Sequence, residues 1–171
     1  MSRTTLSRLQ PASVLPFAVC LLLVVIDVMP LPHGGRIGTS LSLAGVLVWS
    51  WCRPDWLSAG AAFLLGLLHD VVAGLPLGMT SLVLILARGA VVALRPSLEP
   101  AGPALLGLSC LALMAAAEAL RWVIANLWWG RLFPIEPVLA ELVVTVLLFP
   151  TVLGLSVLVD TRLPGASHAS S

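Results

Sequence analysis

Long apolar runs, separated by short segments that contain proline, dominate this sequence. Hydrophobic residues make up 59% of the 171 residues and charged residues 10%, whereas roughly a quarter of the residues of a soluble domain are charged. A helix that crosses a bilayer needs about 20 apolar residues. The sequence therefore predicts an all-α integral membrane protein, with one transmembrane domain over residues 1–171. The six predicted transmembrane helices cover about 13–31, 37–52, 57–74, 78–95, 103–125 and 136–159.

The ends of the chain and its charge limit the partners that it can have. Residues 161–171 are mostly small and polar, and we expect a short disordered tail there. The formal net charge is only +1, and no basic run follows the spacing of a nucleic-acid backbone, so we expect membrane lipid and no nucleic acid as a partner. The three cysteines lack the spacing of metal ligands and are interpreted as packing residues.

Arginine placement predicts the orientation in the membrane. If the N-terminus is cytoplasmic, the cytoplasmic side holds more arginines than the far side, which favours both termini inside. The cytoplasmic set is Arg3, Arg8, Arg53, Arg95 and Arg162, and the outer set is Arg36 and Arg131. Tryptophans at the predicted helix ends are typical of interfacial anchors. They are Trp49, Trp51 and Trp56 on the cytoplasmic side and Trp122, Trp128 and Trp129 on the outer side.

The segment GLLHDVVAGLPLG, residues 66–78, places a carboxylate inside a glycine frame. Gly66, Asp70 and Gly74 are spaced i, i+4 and i+8 and therefore share one helical face. Small residues on that face allow a neighbouring helix to come close, and we expect the Asp70 carboxylate to point toward that helix. Gly74, Pro76 and Gly78 then predict a tight turn into the next helix.

Ionisable residues of four predicted helices fall at a similar depth near the outer end. By rise per residue Asp27, Asp70 and Glu141 lie within about 2 Å of one another in depth, and Glu118 and Arg121 have the i, i+3 spacing of a pair. Because charges inside a membrane are costly, we expect these five side chains to face inward as one polar cluster. The alternative is that each acid reaches interfacial water separately.

Two other ionisable side chains have no role that the pattern assigns. Arg88 lies about ten residues into the fourth predicted helix. It either extends toward the cytoplasmic surface or pairs within the bundle, and the sequence does not distinguish these possibilities. We interpret His69 as a packing residue.

The residue patterns of common enzymes are absent from the sequence. There is no nucleophile elbow, no HExxH or CxxC motif and no phosphate-binding glycine loop before a lysine. We therefore expect a protein that is not an enzyme and that uses no cofactor and no metal. Transport by alternating access is not indicated either, because no inverted repeat with paired broken helices is visible.

The third predicted helix and its turn resemble the rod shape-determining protein MreD family. Members of that family carry an R-P turn, an apolar stretch and then G-L-x-x-D-x-x-x-G-x-P-L-G. The matching positions here are Arg53, Pro54, Gly66, Leu67, Asp70, Gly74, Pro76, Leu77 and Gly78. Chain length and the number of apolar runs are similar as well, whereas the last two runs match only in hydropathy. His69 stands where family members usually carry an apolar or small residue.

The resemblance implies a scaffold of the cell-elongation machinery in the bacterial inner membrane. Such a protein binds the single-span protein MreC and helps to couple MreB filaments to peptidoglycan synthesis by RodA and its penicillin-binding partner. The family is also similar in fold to the substrate-binding subunits of energy-coupling-factor transporters. The alternative function is therefore vitamin capture as such a subunit, for which Ala59, Ala61 and Ala62 offer small residues that a coupling subunit could contact.

Overall fold

All regular structure in the described residues is helical, which confirms the all-α part of the predicted class. The structure is a computed structural model and describes residues 11–29 and 40–162. Its helices are α1 (Pro11–Val28), α2 (Leu41–Cys52), α3 (Ala59–Ala73), α4 (Met79–Leu98), α5 (Pro103–Trp129) and α6 (Glu136–Arg162), with a 3-10 turn at Glu99–Ala101. Each helix coincides with one of the predicted apolar runs.

Helices α4 and α5 end later than predicted, the first because it continues through a proline and the second because no proline closely follows its predicted end. Helix α4 continues through Pro96 to Leu98, and α5 continues to Trp129 because the next proline is Pro134. Helix α6 extends to Arg162, so the predicted disordered tail is wrong for its first two residues. The rest of that tail, and residues 30–31 and 37–39 of the first two predicted spans, lie outside the described residues.

Within the described residues, three helices are long and apolar enough to cross a membrane. They lie in α4, α5 and α6, over Met79–Leu98, Leu105–Trp129 and Glu136–Ser156. The apolar parts of α1, α2 and α3 are shorter, over Leu15–Val28, Leu41–Cys52 and Ala59–Ala73. Length and composition therefore indicate a membrane protein.

Helix α2 lies at the centre of the bundle. It packs against α1, α4 and α6, and all residues from 41 to 50 are buried. A helix that is apolar on every side is buried within a protein or a membrane, and here the protein itself surrounds α2. Trp49 in this helix is 0% exposed and stacks near Trp56, so its interpretation as an interfacial anchor is wrong.

Helices α3 and α4 form the most closely packed hairpin of the fold. The buried face of α3 repeats at helical spacing through Ala62, Leu65, Gly66, His69 and Asp70. At Gly66 a Cβ atom would overlap the backbone of Ser81 in α4. The glycine therefore sets how closely the two helices approach.

The turn between α3 and α4 uses the glycines that the sequence indicated. Gly74 ends α3 in the left-handed conformation, with φ of 68°, and Gly78 precedes α4 with φ of 96°. Residues with a Cβ atom adopt this region at a cost of about 1–2 kcal/mol. The pair allows the chain to reverse within five residues.

Candidate functional site

A cavity of about 570 Å³ lies at the end of the bundle where α1, α3 and α5 finish and α2, α4 and α6 begin. Side chains of α1, α3, α4, α5 and α6 line it, together with the turn between α3 and α4 and the loop between α5 and α6. The ionisable residues in its wall are Asp27, His69, Glu118, Arg121, Arg131 and Glu141.

The carboxylate of Asp27 caps the buried helix α2. Its Oδ1 accepts a hydrogen bond from the backbone N–H of Leu41 at 2.9 Å, and its Oδ2 accepts one from Ser42 at 2.8 Å. The first N–H groups of a helix have no partner within the helix, and the positive end of the helix dipole favours an anion there. Asp27 in α1 therefore supplies the hydrogen-bond acceptors that the first N–H groups of α2 do not have within their own helix.

Ser40 directs its side chain away from the helix that it precedes. Its hydroxyl donates to Glu141 Oε1 at 2.8 Å, and its backbone N–H donates to the Thr145 hydroxyl at 2.9 Å. The side chain of Ser40 makes no capping bond to α2. The start of α2 is therefore held by side chains of α1 and α6.

Arg121 joins two glutamates of different helices. Its Nη2 lies 2.6 Å from Glu118 Oε2, one turn earlier in α5, and 2.5 Å from Glu141 Oε1 in α6. Glu118 is buried, and Arg121 and Glu141 are also largely shielded from solvent. An acid buried without its cation would be strongly unfavourable, so Arg121 compensates charge as well as fastening α5 to α6.

Asp70 performs for α4 the task that Asp27 performs for α2. Its carboxylate accepts hydrogen bonds from the backbone N–H of Gly78 at 2.8 Å and of Thr80 at 3.0 Å. Asp70 is 0% exposed. Gly78 has no side chain with which to cap α4, and the acid of the preceding helix replaces it.

His69 lines the cavity, although its sequence context suggested only packing. The side chain is 6% exposed, and its Nδ1 lies 3.4 Å from the hydroxyl of Thr80. Asp27, Asp70, Arg121 and Glu141 all lie within electrostatic range of the ring. Its position three residues after Gly66 places it on the buried face of α3, and that spacing was the signal for its location.

The loop between α5 and α6 forms an aromatic wall of the cavity. Both backbone groups of Phe133 are held by α5: its N–H donates to Asn126 Oδ1 at 2.8 Å and its carbonyl accepts from Trp122 Nε1 at 3.2 Å. The Phe133 ring meets Trp129 edge to face, with centroids 5.7 Å apart, and the Arg131 guanidinium lies 4.5 Å from its centroid. Trp122, Trp129 and Phe133 all line the cavity.

The structure places the five residues of the expected polar cluster in two groups. Asp27, Glu118, Arg121 and Glu141 line the cavity, and Asp70 lies next to His69 but faces the start of α4. Across the described residues, no group of three or more His, Cys, Asp or Glu side chains is arranged to hold a metal ion. The site is a mostly apolar, partly aromatic cavity with a group of ionisable side chains in its wall.

Arg88 lies far from this cavity and fastens the opposite end of the bundle. Its Nε donates to the carbonyl of Leu57 at 2.6 Å and its Nη2 to that of Pro54 at 3.1 Å. The arginine of α4 therefore binds the backbone of the loop between α2 and α3. The sequence left open whether Arg88 extends toward the cytoplasmic surface or pairs within the bundle, and in the structure it bonds two backbone carbonyls of this loop.

No family model, curated protein or solved structure matches this chain. The resemblance to the MreD family is therefore carried by the residues of the third helix and its turn. Its functional implications stay predictions.

Proposed function

We propose that this chain is a non-enzymatic scaffold of the bacterial cell-elongation machinery in the inner membrane. In this proposal it binds an MreC-like single-span protein and helps to couple MreB filaments to RodA and its penicillin-binding partner. The supporting observation is that the motif residues act together in the α3–α4 hairpin. Gly66 permits close packing, Asp70 caps α4, and Gly74 and Gly78 take positive φ.

The proposal includes all six helices in the membrane and both termini in the cytoplasm. Helix α2, with 12 residues, spans about 18 Å at 1.5 Å per residue, which is less than the hydrocarbon core of about 30 Å. Its burial among α1, α4 and α6 allows a short helix at this depth, because it does not have to face lipid. In this orientation the cavity opens toward the outer side, near Arg131, and Arg88 lies toward the cytoplasm.

A second candidate function is capture of a vitamin as the substrate-binding subunit of an energy-coupling-factor transporter. The observation that favours it is the cavity of about 570 Å³. Pockets for small ligands commonly measure about 300–1,000 Å³ and combine apolar walls with a few convergent polar groups. Vitamin capture requires such a cavity, whereas the scaffold function does not.

Depletion of the protein in its native host tests the scaffold proposal. We expect rod-shaped cells to become round, and we expect re-expression of the wild-type chain to restore the rods. Cells that keep their shape but require an added vitamin for growth would reject the scaffold and favour the second candidate.

Co-purification provides the matching biochemical test. The tagged full-length chain, extracted in a mild detergent, should retain an MreC-like single-span protein. An unrelated multi-pass protein of similar size with the same tag serves as the control. An equal yield of the MreC-like protein from both purifications, or none from either, would contradict the proposed partnership.

A further inference from the structure

We propose that the cavity at the α5–α6 end binds a small organic cation, with an ammonium group at its acidic floor and an apolar body against its tryptophans. This inference goes beyond the scaffold role and gives a ligand class to a cavity that the scaffold does not require. Its volume, about 570 Å³, suits a ligand of the size of a substituted aromatic amine.

The charges at the floor favour a cation over an anion. Glu118 and Glu141 share one cation, because a single nitrogen of Arg121 bonds both carboxylates. With His69 neutral, the whole wall formed by the described residues holds three carboxylates, of Asp27, Glu118 and Glu141, and two guanidinium groups, of Arg121 and Arg131, which gives a formal charge of −1. Electrostatic interactions are stronger in a site of low dielectric, so an ammonium group gains from this excess and a carboxylate is repelled by it.

His69 contributes to the cavity a ring nitrogen that the described residues leave without a hydrogen bond. The side chain is 6% exposed and lines the cavity, and its Nδ1 is next to Thr80. Its Nε2 makes no hydrogen bond with any described residue. With the proton on Nδ1, this nitrogen is an acceptor for an N–H of the ligand.

The aromatic wall is suited to hold the remainder of such a ligand. Trp122 and Trp129 line the cavity, and an aromatic body packed against such a ring gains about 0.5–1.5 kcal/mol beyond the area that it buries. The hydrogen bond from Trp122 to the Phe133 carbonyl and the edge-to-face contact of Trp129 fix both rings before a ligand arrives. Preorganised groups lose less entropy on binding.

A charge series on one skeleton tests the ligand class. The purified full-length chain in nanodiscs of neutral lipid is titrated calorimetrically with 2-phenylethylamine, 2-phenylethanol and phenylacetate, and empty nanodiscs correct for partition into lipid. We expect saturable binding of the amine only. Equal binding of all three probes, preference for phenylacetate, or no saturable binding of the amine would overturn the inference.

Matched variants locate the binding. Glu141→Gln keeps the shape of the floor and removes one charge, and it should weaken amine binding about tenfold or more. Glu136→Gln, at the exposed start of α6 and outside the cavity wall, should not. Trp129→Leu should weaken binding several-fold, whereas Trp128→Leu, whose side chain is 69% exposed, should leave it unchanged.

Equal affinities within either pair of variants would place the amine elsewhere and overturn the inference. Each variant is first compared with the wild type in thermal unfolding, so that loss of binding is separated from loss of fold. Cell shape and partner retention are not measured in this experiment. Failure of the cation site is therefore distinguishable from failure of the scaffold proposal.

Discussion

Asp27 and Asp70 occupy equivalent positions in two successive helical hairpins, because each carboxylate accepts hydrogen bonds from the first backbone N–H groups of the helix that follows its own. Neither following helix is capped by its own side chain: Ser40 bonds Glu141 instead, and Gly78 has none. An acid near the end of one helix thus stabilises the start of the next. This gives a purpose to carboxylates in such an apolar chain.

The more hydrogen-bond acceptors a substitution of Asp70 removes, the more it should destabilise the protein. Asp70→Asn retains one oxygen and loses the charge, and we expect a loss of about 1–3 kcal/mol in the free energy of unfolding. Asp70→Leu leaves the N–H groups of Gly78 and Thr80 without acceptors and should lose more. Thermal unfolding in detergent micelles, followed by intrinsic fluorescence, measures both effects.

The matched control for these variants is Asp55→Asn, since Asp55 is exposed in the loop between α2 and α3. It should unfold at the wild-type temperature. If Asp70→Asn unfolds at the same temperature as this control, the cap on α4 contributes nothing to stability.

Gly66→Ala should separate α3 from α4. The added methyl group would overlap the backbone of Ser81, and backbone cannot rotate aside as a side chain does. Overpacking of this kind costs about 1–3 kcal/mol, and the thermal unfolding midpoint should fall accordingly.

Gly89→Ala is the matched control in the same hairpin, because no atom lies within 4 Å of its added Cβ. Alanine is the better helix former, so this variant should be neutral or more stable by about 0.5–1 kcal/mol. Equal midpoints for the two variants would show that Gly66 does not limit the approach of the helices.

Local patterns in the sequence were sufficient to predict the helices and the end at which the acids lie. Prolines and glycines mark where helices stop, and rise per residue gives the depth of Asp27 and Glu141 along theirs. The inward placement of Asp70 was predictable for the same reason, since its glycine frame is local. Helical spacing from Gly66 also indicated that His69 lies on the buried face of α3. Only the positions of the other helices show that it lines a cavity.

Packing between distant segments was not predictable from local pattern. An apolar run of the length of α2 has the same sequence pattern whether lipid or protein surrounds it. The burial of Trp49 could therefore be predicted only from the positions of α1, α4 and α6. The aromatic wall depends on Asn126 and Trp122 reaching Phe133 across a turn. The bonds of Arg88 to a loop more than 30 residues earlier in the chain have no sequence signal of their own.

Arg88 should contribute to stability through the carbonyls that it binds. Arg88→Met removes both donors to Pro54 and Leu57 and should cost about 1.5–3 kcal/mol, as for hydrogen bonds to a charged group. Arg88→Lys can reach only one carbonyl at a time and should lie between this variant and the wild type. Unfolding midpoints in micelles check the order.

Arg95→Met is the control for this position. Arg95 lies in the same helix and makes a pair with Glu99 at 3.4 Å, with a Glu99 side chain that is 62% exposed. Exposed pairs contribute about 0–1 kcal/mol. A midpoint for Arg88→Met no lower than that for Arg95→Met would show that the loop does not depend on Arg88.

Substitution of Arg121 tests whether the stability of the protein depends on a cation beside the two glutamates of the cavity. Arg121→Met leaves Glu118 and Glu141 shielded from water without a cation, and breaking a buried pair in this way costs about 3–5 kcal/mol. The variant in which both glutamates are also changed to Gln should recover much of that loss, because amides need no counter-charge. Arg131→Met should change the midpoint little, since that guanidinium is exposed above Phe133. A triple variant that is no more stable than Arg121→Met alone would mean that Arg121 holds α5 and α6 by packing and not by charge.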